Sequence, residues 1–270
     1  MKERMPRKPN PLPRLAASFL LGLLCGLLGY HLLLHLPHPV QHGGTVNLQG
    51  WLENAGCTIP IVAVSSGENP TGVVCTLAVK IKSGEGYVYV SVDPMLVGFD
   101  FQDSDRKAVR VAGNMAGYPL DEDGVGLKGF DIYFLVAGPG KEVRVEAIDG
   151  PSAGAATTIA LLSLLENRRI KEGYVITGTV EEDGRIGQVG GIPHKALAAA
   201  KEGATHFLVP KGQNKVTIYE KVTYELFPGW RWVTYRPKLV NLDTYLRERG
   251  WDLQVLEVSR IEEAAAIMLE

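Results

Sequence analysis

The sequence predicts an α+β domain, with an α/β-like alternation of strands and helices packed on a sheet, preceded by one N-terminal transmembrane helix. Three observations predict it. A long apolar run, Leu15 to Leu36, follows a basic tail. Beyond it, β-branched runs bounded by glycine and proline alternate with helical patterns. In the middle of the chain a glycine-rich turn, Asp149-Gly-Pro-Ser-Ala-Gly154, leads straight into an apolar helical stretch, Ala155 to Leu165.

The N-terminal elements come first. Residues 1–14 carry Lys2, Arg4, Arg7, Lys8 and Arg14 against one acid, Glu3. Residues 15–36 are apolar apart from Ser18, His31 and His35. A helix of that length spans roughly 30 Å, the thickness of a bilayer core. The basic flank precedes the span and no comparable cluster follows it, so residues 1–14 are expected in the cytoplasm and the domain outside. A cleaved signal peptide fits less well: the run is too long and no Ala-x-Ala-like site follows. Leu23-Leu-Cys25-Gly is read as carrying a membrane-facing cysteine, not a lipid-attachment site. Residues 37–56, with Pro37, Pro39 and Gly43-Gly44, read as a juxtamembrane linker, and 57–270 as the folded domain.

Within that domain, Ile59–Ser65, Val73–Ile81 and Tyr87–Val92 are expected strands, and Asp103–Met115 a helix. Asp131–Val136 and Val143–Ile148 are strands, the second delivering the chain into the Ser152 turn. Pro151–Asn167 is a helix with proline in its first turn, where its missing N–H costs nothing. Tyr174–Val180 is a strand, and Glu182-Asp-Gly-Arg185 a hairpin turn of the Asp-Gly type. Ile192–Glu202 is a helix stopped by Gly203, and His206–Val209 a strand. Tyr219–Tyr245 is rich in Trp, Tyr and Pro without clean periodicity. Trp230, Trp232 and Tyr235 suit a substrate-binding or subunit-contact surface, but a satellite core under a long loop is the preferred reading.

Composition narrows the function classes. The chain has 270 residues, three cysteines and a formal charge of −2. A near-neutral charge with no basic stripe argues against a nucleic-acid surface. No Gly-x-x-x-x-Gly-Lys-Ser/Thr phosphate loop occurs, so no ATPase and no cofactor is expected. His31, His35, His38 and His42 fall at helix-like spacing, yet Pro37 and Pro39 interrupt it and no acid or cysteine partner is near, so no metal site is assigned. For Cys57 and Cys75, a disulfide and two free buried thiols both remain open.

The chemistry-bearing residues are Ser152 and Lys195. A serine hydroxyl needs a neighbouring base to become a nucleophile. Lys195 opens a second apolar helical pattern, Ala196-Leu-Ala-Ala-Ala200, beside Ile192 and the Gly190-Gly191 pair. Packing there would desolvate its ammonium and favour the neutral amine that can take the proton. Ser152 alone reads as a helix-capping serine. The free N–H groups at that helix start, those of Ser152 and Ala153, can also hold an oxyanion. Asp149 either orders the nucleophile turn, as a simple Asx turn does, or holds a side chain near the site. His194 points about 100° away from its neighbour Lys195 on a helix and is read as a surface group.

Four pieces, in order and at matching spacing, resemble the proteolytic domain of the Lon proteases, Ser-Lys peptidases of family S16. They are Asp149-Gly-Pro-Ser-Ala-Gly154, Ile176-Thr-Gly178, Gly184-Arg-Ile-Gly-Gln-Val-Gly-Gly191 and Lys195, with Thr177 25 and Lys195 43 residues after Ser152. Looser similarity covers Gly84-Glu-Gly-Tyr-Val-Tyr-Val, Phe101 to Ala112 and the tail Val258 to Ala265. It is nearest to short membrane-anchored archaeal members without an ATPase domain. The resemblance implies helices packed on mixed sheets, Ser152 as nucleophile, Lys195 as base and Thr177 as the residue that orients the lysine. It also implies unfolded proteins or peptides as substrates, and assembly into a ring, often of six subunits. Where the family has Thr-Gly-Glu this chain has Thr177-Gly-Thr179, and the segment from Gly212 to Arg249 is longer than the family core needs. A non-proteolytic or latent scaffold of the same fold is the alternative, disfavoured because both Ser152 and Lys195 are present.

Overall fold

The computed structural model describes residues 50, 54–65, 70–93, 96–97, 99–138, 147–148 and 150–270. The expected membrane span 15–36, the four N-terminal histidines, most of the linker and Asp149 lie outside the described residues. Among the described residues no helix is long and apolar enough to cross a membrane.

Residues 47–270 form one compact unit. Its first layer is a mixed four-stranded sheet. Strands β1 (Cys57–Val64), β2 (Gly72–Ser83), β3 (Val88–Asp93) and β5 (Phe130–Ala137) are ordered β1-β2-β5-β3, with only β3–β5 parallel. The short strands β4 (Leu96–Val97) and β6 (Ala147–Ile148) pair with each other in parallel. β2 alternates buried and half-buried positions at its start and then buries Leu77, Ala78 and Val79 in succession. That run marks a central strand covered on both faces.

Helix α1 (Phe99–Ala116), a short 3₁₀ turn (Pro151–Ala153), α2 (Gly154–Leu165) and α5 (Ile261–Met268) pack on this layer and share its main core. α2 is buried along nearly its whole length, which is why its sequence is apolar all round instead of striped. A second sheet is parallel: β7 (Tyr174–Ile176), β10 (His206–Pro210) and β13 (Gln254–Val258), in the order β13-β10-β7. It closes a smaller core with α3 (Ile192–Lys201) and α4 (Leu242–Arg247). β8 (Thr179–Val180) and β9 (Ile186–Gly187) make the hairpin expected around Asp183-Gly184, whose Gly184 has φ +79°.

Several expectations need correction. Tyr174–Val180 is not one strand: the Thr177 N–H still bonds the Leu208 carbonyl of β10, but at Gly178 the backbone leaves the parallel sheet and bonds the Ser152 turn and the start of α2. The helix expected from Pro151 starts as a 3₁₀ turn and becomes α-helical only from Gly154. The tail from Val258 to Ala265 is not one element: the chain is a strand up to Val258 and a helix from Ile261. Tyr219–Tyr245 is no satellite core. Most of it belongs to a long antiparallel hairpin, β11 (Lys215–Phe227) and β12 (Trp230–Asn241), whose aromatic side chains are largely exposed.

The cysteine question is settled by strand register. Cys57 faces Val79 and Cys75 faces Ile61 across the β1–β2 ladder, which puts them four residues apart along it. That is roughly 13 Å at the usual strand rise. A disulfide tolerates at most about 7 Å between Cα atoms. Both thiols are free, and burial pushes the Cys75 thiol up to about 11.

Candidate active site

Gly150 sets up the nucleophile turn. It has φ +103°, a conformation that a side chain would strain, and it turns the chain so that Pro151 can open the 3₁₀ helix. Ser152 is half-buried in that helix, and α2 follows at once. The turn is held from two sides. From the end of β7, the Gly178 N–H donates to the Ser152 carbonyl at 3.0 Å, and the Gly178 carbonyl accepts from the Ala155 N–H at 3.0 Å. From α1, the buried Ser104 hydroxyl donates to the Pro151 carbonyl at 3.3 Å.

Lys195 arrives on the first turn of α3. The entry to that helix is Gly191, at φ +70°, where a Cβ would stand 2.5 Å from Val64. Only glycine lets the chain turn there against the end of β1. Lys195 is 4 % exposed, and burial pushes its pKa down from 10.5 to about 8. Its ammonium nitrogen donates to Thr177 Oγ1 at 3.3 Å, and Thr177 Oγ1 donates to the Ser152 carbonyl at 3.2 Å. Thr177 is fully buried. One threonine hydroxyl thus ties the lysine to the serine's own backbone.

Ser152 and Lys195 both line one cavity of about 440 Å³, walled further by Ala63 and Val64 at the end of β1, by Thr179 and by the Gln188–Gly191 turn. Ser152, Lys195 and Thr177, far apart along the chain, thus come together in space. His194 is exposed, as expected for a surface residue. Among the described residues no group of three His, Cys, Asp or Glu side chains can hold a metal.

Two further residues gain a place only in the structure. Thr179, in place of the glutamate of the related pattern, lines the cavity. Asp105, one residue beyond Ser104, is buried and accepts a hydrogen bond from Thr157 Oγ1 of α2 at 3.2 Å, while its other carboxyl oxygen has no partner. Burial raises its pKa to about 8, so it is protonated at neutral pH. A serine and an aspartate on a mixed helix face give no local signal; only the packing of α1 brings Ser104 to the Ser152 turn and Asp105 against Thr157 of α2.

Comparison with known proteins matches this region. The model of the Lon protease (S16) C-terminal proteolytic domain matches residues 145–226. The chain is similar to the Lon protease of Endomicrobium trichonymphae, 44% identical over 80 residues, which is 29% of this chain and 10% of that protein. It is 26% identical over 176 residues to the Lon protease of Clostridium acetobutylicum, covering 64% of this chain and 19% of that protein. It is 40% identical over 76 residues to the human mitochondrial Lon protease homolog, 28% of this chain and 8% of that one. The matched stretch is thus a fifth or less of these relatives' length. The match covers the Ser152 turn, the Thr177 strand end and the Lys195 helix that the fold brings around one cavity, so this stretch of the chain is similar to the proteolytic domain of the Lon (S16) proteases.

Proposed function

We propose that this chain is a membrane-anchored, ATP-independent serine endopeptidase using Ser152 and Lys195 as a dyad. One observation carries the reading: a buried lysine, its pKa lowered to about 8, is held by Thr177 in the same cavity as a serine at the start of a helix.

The chemistry follows from those positions. Neutral Lys195 takes the proton of Ser152 Oγ as the oxygen attacks a peptide carbonyl. The N–H groups of Ser152 and Ala153, at the start of the helix, stabilise the oxyanion of the tetrahedral intermediate. Lys195 then returns the proton to the leaving amine, an acyl-enzyme forms on Ser152, and water activated by Lys195 releases it. Thr177 fixes the lysine rotamer.

The open cavity suits an unfolded protein or a peptide in extended form. The absence of a phosphate loop from the sequence supports ATP independence. The apolar run 15–36 behind a basic tail supports a single-pass anchor with the protease domain outside the cytoplasm. The family resemblance supports a ring of subunits, six by analogy. A latent or scaffold role has one observation in its favour: the hydrogen bond of Lys195 Nζ goes to Thr177, so the lysine must approach Ser152 Oγ when substrate binds.

Casein cleavage by the full chain, beside Ser152→Ala and Lys195→Ala, tests the reading. Cleavage lost in both variants is expected. A folded, assembled wild type that leaves casein intact would make the chain a scaffold, and cleavage surviving Ser152→Ala would remove the nucleophile assignment.

A further inference from the structure

The proposed peptidase chemistry makes no use of the β11–β12 hairpin. Its base is anchored: Val216, Ile218 and Val240 pack in the second core. From Ile218 to Phe227 the strand runs on for nine residues, roughly 30 Å at the usual rise. Beyond that base the residues with described side chains are exposed except for half-buried Val222 and Thr234. An isolated two-stranded ribbon is marginal in water, so this one carries a surface that water alone serves poorly.

The composition of that surface is specific. At the turn, Phe227 and Trp230 stack with ring centroids 6.4 Å apart and are 66% and 67% exposed. Trp232 faces Tyr224 across the ladder on one face of the ribbon. Val233 and Tyr235 lie on the other, beside Thr223 and Lys221. Aromatic side chains therefore occupy both faces and the tip. Docking on a protein surface would bury one face and leave the other in water; a lipid interface surrounds the tip from all sides. Trp and Tyr favour that interface because one end of each ring system is apolar and the other polar. The charge agrees. Along the whole ribbon Lys215, Lys221, Arg231, Arg236 and Lys238 stand against Glu220 and Glu225, with Glu225 opposite Arg231 and Glu220 paired with Lys238, and basic groups in excess next to apolar anchors favour anionic headgroups. Arg236 lies over the Tyr224 ring, its Cζ 5.5 Å from the centroid, pairing a cation with an aromatic near the tip.

We propose that the end of this hairpin, from Tyr224 to Tyr235, is a membrane-interface finger that inserts its aromatic tip among the headgroups of an anionic bilayer. The finger would hold the domain at the membrane surface independently of the N-terminal segment. This inference does not rest on the peptidase reading, and Ser152→Ala leaves it untouched.

The test uses the full chain in mixed phosphatidylcholine–phosphatidylglycerol vesicles, with Trp51→Phe and Trp251→Phe so that only Trp230 and Trp232 emit. Brominated acyl chains should quench that emission at least about twofold, because insertion depends on buried apolar area. Adding Arg231→Glu and Arg236→Glu should reverse most of the quenching while far-ultraviolet circular dichroism stays unchanged. Emission indifferent to bromination in a folded protein overturns the proposal. So does emission that is blue-shifted without lipid quenching and reverts on dilution, since that would place the finger against a second copy of this chain.

Discussion

Lys195 and Thr177 are joined by a hydrogen bond of 3.3 Å, and the same threonine hydroxyl reaches the carbonyl of Ser152 at 3.2 Å. A single side chain thus sets the position of the proposed base relative to the nucleophile's backbone. Thr177→Val keeps the shape and removes both bonds. A lost hydrogen bond to a charged group is worth about 1.5–3 kcal/mol, so kcat should fall roughly 10- to 100-fold. Thr177→Ser should restore most of it. Casein kinetics on both variants, with thermal unfolding as a control, separate this role from a merely structural one.

The lowered pKa of Lys195 fixes the direction of the pH profile. Below about 8 the amine is protonated and cannot accept the serine proton; above it the neutral form dominates. The kcat/KM for a peptide substrate should therefore rise through a limb centred near pH 8 and flatten above. A profile already flat from pH 6 to 9 would mean that Lys195 is not the titrating base.

Asp105 makes the opposite demand on stability. Its folded-state pKa, about 8, lies above its ordinary 3.8. Between those values the folded protein holds a proton that the unfolded chain has lost. Its contribution to stability is thus greatest below pH 4, declines as pH rises towards 8 and is flat beyond. Asp105→Asn keeps an acceptor for Thr157 and removes the ionisation. It should stabilise the domain above neutral pH, because the folded protein no longer has to hold a proton that the unfolded chain has lost. Urea unfolding of both proteins at pH 5 and pH 8.5 measures the difference, which should be present at the higher pH and small at the lower.

Gly191 tests how closely α3 must enter. Gly191→Ala puts a Cβ 2.5 Å from Val64 at φ +70°. Forcing an ordinary residue into that conformation costs about 1–3 kcal/mol. Activity should drop more than stability, because the strain falls four residues before Lys195. Gly250→Ala, with the same sign of φ but an open surround, is the control: it should lower stability and leave kcat unchanged.

The two described cysteines should make the domain indifferent to redox conditions. Unfolding temperature with and without dithiothreitol should coincide, and non-reducing electrophoresis should show no internal crosslink. A shift on reduction would contradict the β1–β2 register.

Much of the site was readable along the chain. The order and spacing of the Ser152 turn, Thr177 and Lys195 point to one constellation, and the strands and helices that carry them fall within a few residues of the expected bounds. What could not be read were tertiary effects. Thr177-Gly178 looks like the middle of a β run, yet the Gly178 backbone turns from the sheet to the Ser152 turn. The start of α1 at Phe99 was missed because Phe99-Asp-Phe-Gln102 carries no helical stripe. The Trp230–Tyr235 aromatics looked like a core because aromatics usually are. The long ladder with Lys215–Phe227 leaves them in solvent.

By itself the sequence determined the residue types, their order and their separations. Those are local quantities, so they identify the serine turn, the helix-entry glycines, the proposed base and an apolar run long enough for a bilayer. The tertiary structure alone decided that Lys195 is desolvated, that Ser104 reaches the Ser152 turn, that Asp105 is buried against α2, that Cys57 and Cys75 cannot meet, and that the aromatic hairpin is exposed. Each of those depends on which surfaces exclude water and which strands share a register, and neither property belongs to any one segment of chain.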